Sequence, residues 1–140
     1  MKIKIKKLKD AAKLPSYALP GDVGMDMYSM ENVTIPPLGH VILFHGFALE
    51  FSTGYAAIVK DKSGISKKGL HTMGGVYDAG FRGEYNTHLV NLSDKDITIE
   101  VGDKVSQLII YPVVIAELEE TDELADSERG DGAFGSTGRK

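Results

Sequence analysis

Apolar residues recur in this chain at every second position and almost nowhere at every third or fourth. In MKIKIKKLKD, Met1, Ile3 and Ile5 alternate with Lys2, Lys4 and Lys6, the pattern of a strand with one wet face. Runs at residues 33–35, 41–44, 47–51, 55–59, 85–92, 97–101 and 105–114 also have strand composition. Pro36-Pro37, Gly39, Gly54, Gly74-Gly75, Ser93-Asp94 and Gly102-Asp103 punctuate them as turns. Many short strands divided by tight turns predict an all-β fold: a sandwich, jelly roll or barrel. Residues 63–68 predict one short helical turn capped by Ser63 or Ser66. The acidic segment 117–124 has no amphipathic stripe and predicts no helix.

A chain of 140 residues suits one domain, and 42% apolar content is too high for compositional disorder. After Glu128 the composition turns to Gly, Ser and Thr, so the expectation is a core domain over 1–125 and a flexible arm over 126–140. The run QLIIYPVVIA, from Gln107 to Ala116, is apolar on both faces and needs cover on both. A partner subunit could supply it, which makes oligomerisation an expectation.

Sixteen Lys plus Arg against 20 Asp plus Glu leave a net charge of −4, which gives no footprint for a nucleic-acid polymer but permits a small anion held by local donors. Without cysteine, neither a disulfide scaffold nor a thiolate zinc site can form. No apolar run reaches membrane-span length and the opening residues lack a signal-peptide core, so no membrane association and a cytoplasmic location are expected. His40, His45, His71 and His88 show no ligand spacing and read as solvated or packed side chains.

Five segments could carry chemistry. In RGDGAFGSTG the glycines at 130, 132, 135 and 138 free backbone N–H groups for an anion, and Ser136 and Thr137 add hydroxyls. Arg129 offers a planar fork for phosphate oxygens, and Phe134 is a lone ring suited to stacking on a base; the alternative is an ordinary flexible terminus. In DKSGISKKG, Ser63 and Gly64 permit close approach to a phosphate beside Lys62, Lys67 and Lys68, yet the spacing is not that of a P-loop. In GGVYDAGFRGEYN, Asp78 could orient and deprotonate water, and it equally fits a turn-shaping aspartate. GDKVSQLII places Gln107 as a polar break before an apolar strand. In GDVGMDMYS, alternation sets Asp26 opposite Met25 and Met27, where the plain reading is a surface aspartate.

Taken in order, the five segments resemble the five motifs of the homotrimeric dUTP diphosphatases, from about Gly21 to Gly138. The resemblance implies a distorted jelly-roll trimer with three sites, each assembled from three subunits. It implies Mg²⁺-assisted hydrolysis of dUTP to dUMP and pyrophosphate, which limits uracil entry into DNA and supplies dUMP. On that basis Asp78 would hold the attacking water, while Lys62, Ser63, Gly64 and Gln107 hold phosphate oxygens. Phe81 would lie against the deoxyribose, and backbone around Gly75 and Val76 would read uracil. Phe134 would cover the base while Arg129, Gly135, Ser136 and Thr137 close on the phosphates, with Asp26 reaching the metal through water. The chain departs from the motifs at Lys62 and Phe81, where Arg and Tyr are usual, at Ala133 in place of glycine, and at Tyr77, whose bulk is expected beside the base pocket. The stretch Asp78–Phe81 also resembles dCTP deaminases, but the glutamate that family needs ten residues on is His88 here.

Overall fold

The computed structural model describes residues 1–133. Eleven strands and one helical turn follow the chain: β1 Lys4–Lys7, β2 Met25–Tyr28, β3 Val33–Ile35, β4 His40–Phe44, β5 Phe47–Glu50, β6 Tyr55–Lys60, α1 Ser63–Ser66, β7 Leu70–Thr72, β8 Val76–Tyr77, β9 Asn86–Asn91, β10 Ile97–Ile99 and β11 Lys104–Pro112. Strand composition and turn residues located most of them; β2, β7 and β8 lie outside the expected strands. The α1 turn departs from expectation, because Lys62 occupies the cap position and no side chain caps it.

All strand pairs are antiparallel, in four sheets: β2–β11–β6–β8, β4–β9–β7, β1–β5 and β3–β10. Two apolar clusters lie between them. Met27, Ala57, Val59, Tyr77 and Leu108 of the four-stranded sheet pack with Phe47 and Leu49 of β5 and with Tyr85. Ile35, Leu43, Leu70, Leu89, Ile99 and Val105 form the second. Strand β11 feeds both through Val105 and Leu108. Its exit is less well covered: Val114 and Ile115 are 93% and 79% exposed.

Several polar groups sealed inside are paired. Asn91 donates to the carbonyls of Ile35 and Lys95 and accepts from the Ser93 N–H and hydroxyl, which pins the β9–β10 turn to β3. The Tyr77 hydroxyl donates to the Asn86 carbonyl at 2.7 Å and accepts from the Asn86 N–H at 3.0 Å. Its ring stacks on Tyr85, with centroids 4.1 Å apart. Tyr77 therefore points into the core, contrary to the expectation that its bulk crowds a base pocket; Val76, 67% exposed, is the residue that faces out. Tyr85 differs: its buried hydroxyl has no partner among the described residues, and burial raises its pKa.

These two tyrosines predict opposite outcomes. Tyr77→Phe orphans two buried backbone groups and should cost about 1–3 kcal/mol, whereas Tyr85→Phe should leave stability unchanged or raised. Chemical denaturation of both variants against the parent chain measures the difference.

Candidate active site

The densest charge in the interior is at Asp26. Its residue is 3% exposed, so the expectation of a surface aspartate fails. Strand β2 lies against the first half of β11, which turns Asp26 inward while Met27 fills the core from the other face. Lys62 Nζ stands 2.6 Å from Oδ1 and Lys104 Nζ 2.6 Å from Oδ2. Burial alone would raise the Asp26 pKa, but the hydrogen bonds and charges of Lys104 and Lys62 outweigh it and hold the carboxyl below its ordinary value. The carboxylate thus gathers two ammonium groups from distant parts of the chain.

Gln107 sits opposite both Asp26 and Lys60 in the ladder. Its Nε2 donates to the Asp61 carbonyl at 2.8 Å, and its Oε1 occupies the space a Cβ on Gly24 would need. Glycine at 24 is therefore a packing requirement of Gln107. Asp61 in turn accepts from the Thr72 N–H and from His71 Nδ1, both at 2.6 Å, which ties the DKSG turn to β7. Beside this turn lies an open cleft of ≈ 220 Å³ rimmed by Lys62, Gly64, Lys68 and Lys104 and by the carboxylate-bearing Asp103, over an apolar floor that includes Leu70, Ile99 and Val105. Exposed Ser63 and Gly64 stand at its rim. Such a cluster of ammonium, hydroxyl and amide donors suits phosphate oxygens.

Lys104 was not legible in the sequence. Positions 104 and 107 differ by an odd number, so a regular strand sends them to opposite faces. A β-bulge between Lys104 and Ser106 breaks that parity, burying Val105 and Ser106 and turning Lys104 and Gln107 to one side. The only clue was the lysine of GDK itself.

A second group forms around β8. Gly74 and Gly75 have φ of 70° and 99°, which glycine adopts without strain. A Cβ on Gly75 would also stand 2.8 Å from the Val59 Cβ. The Val59 N–H donates to the Gly75 carbonyl at 2.7 Å. Because successive carbonyls alternate, the Val76 N–H and C=O face the open side of β8, an edge strand. Asp78 follows, exposed, its own carbonyl accepting from the Phe81 N–H at 3.0 Å, so it does shape a turn. Phe81 packs one face on Tyr77 and Tyr85 and leaves 37% of its surface open.

The two groups do not meet within one chain. Tyr77 pairs with Ala57, five residues before Lys62, a separation of about 16 Å along an extended strand, and Asp78 lies farther on. Arg129 is exposed in a local turn, donating to the Gly132 carbonyl at 3.0 Å. Phe134, Gly135, Ser136 and Thr137 lie outside the described residues. The histidines are packed or solvated as expected: His45 is buried, His71 bonds Asp61, and His88 Nε2 and His40 Nδ1 share a hydrogen bond at 3.0 Å.

The sequence model of dUTPases matches residues 10–138. The chain belongs to the dUTPase family. Among curated relatives of this dUTPase is the deoxyuridine 5′-triphosphate nucleotidohydrolase of Hydrogenobaculum sp., 41% identical over 144 residues and the full length of both chains. That of Clostridioides difficile is 42% identical, covering 97% of each. Among solved structures, the dUTPase of Staphylococcus bacteriophage 80alpha with dUpNHpp superposes with a TM-score of 0.91 at 26% identity, covering 98% of both chains. The phage phi11 dUTPase, whose structure is described as revealing a structural Mg(II) ion, matches at 23% identity with a TM-score of 0.83, over 90% of this chain and 100% of its own, and supports the fold alone. These matches support the all-β fold and make the chain a dUTPase-family enzyme.

The Asp26 network gives a pH prediction. The unfolded carboxyl titrates near its ordinary 3.8 and the folded one below it, so the unfolded state binds the extra proton first as pH falls. The stabilisation is full above about pH 4 and is lost as pH falls through the folded value. Melting temperatures of Asp26→Asn should lie below the parent at neutral pH and converge with it in acid; a constant offset at every pH refutes the linkage.

Proposed function

We propose that this dUTPase hydrolyses dUTP to dUMP and pyrophosphate by Mg²⁺-assisted, in-line attack of water on the α-phosphorus, in a homotrimer with shared sites. One observation carries the reading: a cleft rimmed by Lys62, Lys68 and Lys104 and the exposed Asp78 carboxylate after β8 lie at separate places in one chain. Copies of the chain in a jelly-roll trimer would complete each site by juxtaposing the cleft of one with the hairpin of another.

The hairpin favours uracil for a chemical reason. An outward N–H and C=O on Val76 match an acceptor beside a donor, as at uracil O4 and N3–H; cytosine reverses both. The free face of Phe81 would pack against deoxyribose and leave no room for a 2′-hydroxyl. Lys62, Ser63, Gly64 and Gln107 would hold phosphate oxygens, and Lys104 joins them by geometry. Asp78 would accept a proton from the attacking water, since its exposed carboxylate is not tied into the core. Arg129 with Phe134, Gly135, Ser136 and Thr137 would close over the substrate and exclude other water.

No three His, Cys, Asp or Glu side chains cluster as a metal cage among the described residues. The lysine-rimmed cleft suits the triphosphate, which would carry Mg²⁺ on its own oxygens; Asp26, buried with both oxygens on Lys62 and Lys104, would act on the ion only indirectly, through those lysines or a water. Bound there, the ion would neutralise phosphate charge. The chain's own part is positioning, which dominates phosphoryl transfer. The deaminase reading lacks its carboxylate, because position 88 is a histidine engaged with His40.

Pyrophosphate release with Mg²⁺ should be fastest for dUTP among dUTP, dCTP, dTTP and UTP. Asp78→Asn should keep dUTP affinity and lose about 10²–10⁴-fold in kcat. Mixing Asp78→Asn with Gln107→Ala chains after unfolding and reassembly should restore part of the activity, because some sites then receive both intact groups. No recovery, or a stable active monomer in sedimentation, refutes the shared site. Deleting residues 129–140 should leave a folded assembly with little turnover.

A further inference from the structure

The bulge in β11 needs something to hold it. Inserting one extra residue leaves a strand free to relax to the neighbouring register, and each single step exchanges inward and outward side chains. Here that slip would bury Gln107 or expose Ser106.

Three buried side chains lie across the bulge. His45 is 1% exposed, Thr87 1% and Ser106 0%. His45 Nδ1 stands 2.8 Å from the Tyr28 carbonyl, His45 Nε2 2.8 Å from Thr87 Oγ1, and Thr87 Oγ1 2.6 Å from Ser106 Oγ. Partner chemistry fixes the direction of this chain. A carbonyl only accepts, so Nδ1 carries the proton and Nε2 of the neutral ring accepts from the Thr87 hydroxyl. Thr87 then accepts from Ser106. Burial lowers the His45 pKa, consistent with that neutral ring.

The two ends of the chain flank the irregularity. Tyr28 pairs with Lys104, on one side of the bulge, and Ser106 pairs with Met27 on the other. The middle member, Thr87, belongs to β9 in a different sheet, and the His45 N–H is itself anchored on the Tyr85 carbonyl at 2.9 Å.

We propose that His45, Thr87 and Ser106 are positioning residues whose hydrogen-bonded chain locks the β11 bulge, and so holds Lys104 at the cleft and Gln107 on the DKSG turn that borders it. The inference rests on the proposed phosphate role of that cleft. None of the three touches the cleft; they act through the register of β11. A role confined to stability would lower the melting temperature and leave the folded enzyme's binding untouched. A positioning role weakens the grip on phosphates and spares recognition of the base, which belongs to the β8 hairpin.

The test measures, on the assembled full-length enzyme with Mg²⁺, the affinities for dUpNHpp and for deoxyuridine, together with kcat and KM for dUTP. His45→Phe should weaken dUpNHpp binding about tenfold, the scale of one lost charge-assisted hydrogen bond, with deoxyuridine binding unchanged. His45→Gln retains an adjacent donor and acceptor and should recover most of the loss. If His45→Phe does not fold, Ser106→Ala breaks the far end of the chain with a smaller change and should show the same selective loss. Parent-like dUpNHpp affinity in a folded His45→Phe or Ser106→Ala enzyme overturns the proposal, as does an equal loss for both ligands. Gln107→Ala separates the two readings. If it weakens dUpNHpp binding while His45→Phe does not, the positioning chain is wrong and the cleft stands; if it has no effect, the cleft assignment itself falls.

Discussion

Strand β11 has to satisfy two demands that a regular strand meets only in alternation. Its inward residues must supply Val105 to one apolar cluster and Leu108 to the other, and its polar residues Lys104 and Gln107 must emerge on the same side. A period of two cannot do both across these positions. The extra residue at the bulge shifts the parity between Lys104 and Ser106, and the sheets on either side are built around that shift. Opposite the strand, β2 brings Asp26 level with Gln107, and β6 brings Lys60 level with it on the other edge. The cleft is thus a product of register.

Electrostatics then sharpens what register places. Asp26 is too buried to be ionised without compensation, and two ammonium groups at 2.6 Å provide it. The arrangement concentrates positive charge at a cleft in a chain whose net charge is −4. Under the proposed function, triphosphate oxygens would offer the same two lysines an alternative partner to Asp26. The hairpin at Gly75 and Val76 works differently. It offers neutral backbone groups on an open edge, which under the proposed function would discriminate by the order of donor and acceptor instead of by charge.

Several residues are legible in the sequence because their chemistry is local. Gly74-Gly75 signals a positive-φ turn and Asp78 an acid at a turn, and both are found in that setting. Others mislead for equally physical reasons. Asp26 reads as a surface aspartate because its neutralising lysines are 36 and 78 residues away, and nothing adjacent reveals them. Tyr77 reads as bulk beside the base because the stretch shows no sign of the Asn86 backbone that takes its hydroxyl into the core. His45, one of four scattered histidines, carries no motif; only its two partners across 17 and 42 residues give it a role.

Sequence alone determined that this is an all-β chain, through its period of two and its turn residues. The order of its five segments alone pointed to the dUTPase family. Both properties are written in neighbouring residues, since strand alternation, glycine turns and short motifs depend on separations of a few positions. Tertiary structure decided which of those segments share a site. It brought Lys62 and Lys104 together on Asp26 at the edge of one cleft, set Gln107 on the adjoining turn, and placed Asp78 just after the far strand of the sheet. The reason is that cross-strand register and a single bulge govern which side chains face one another, and both follow from the packing of the whole core.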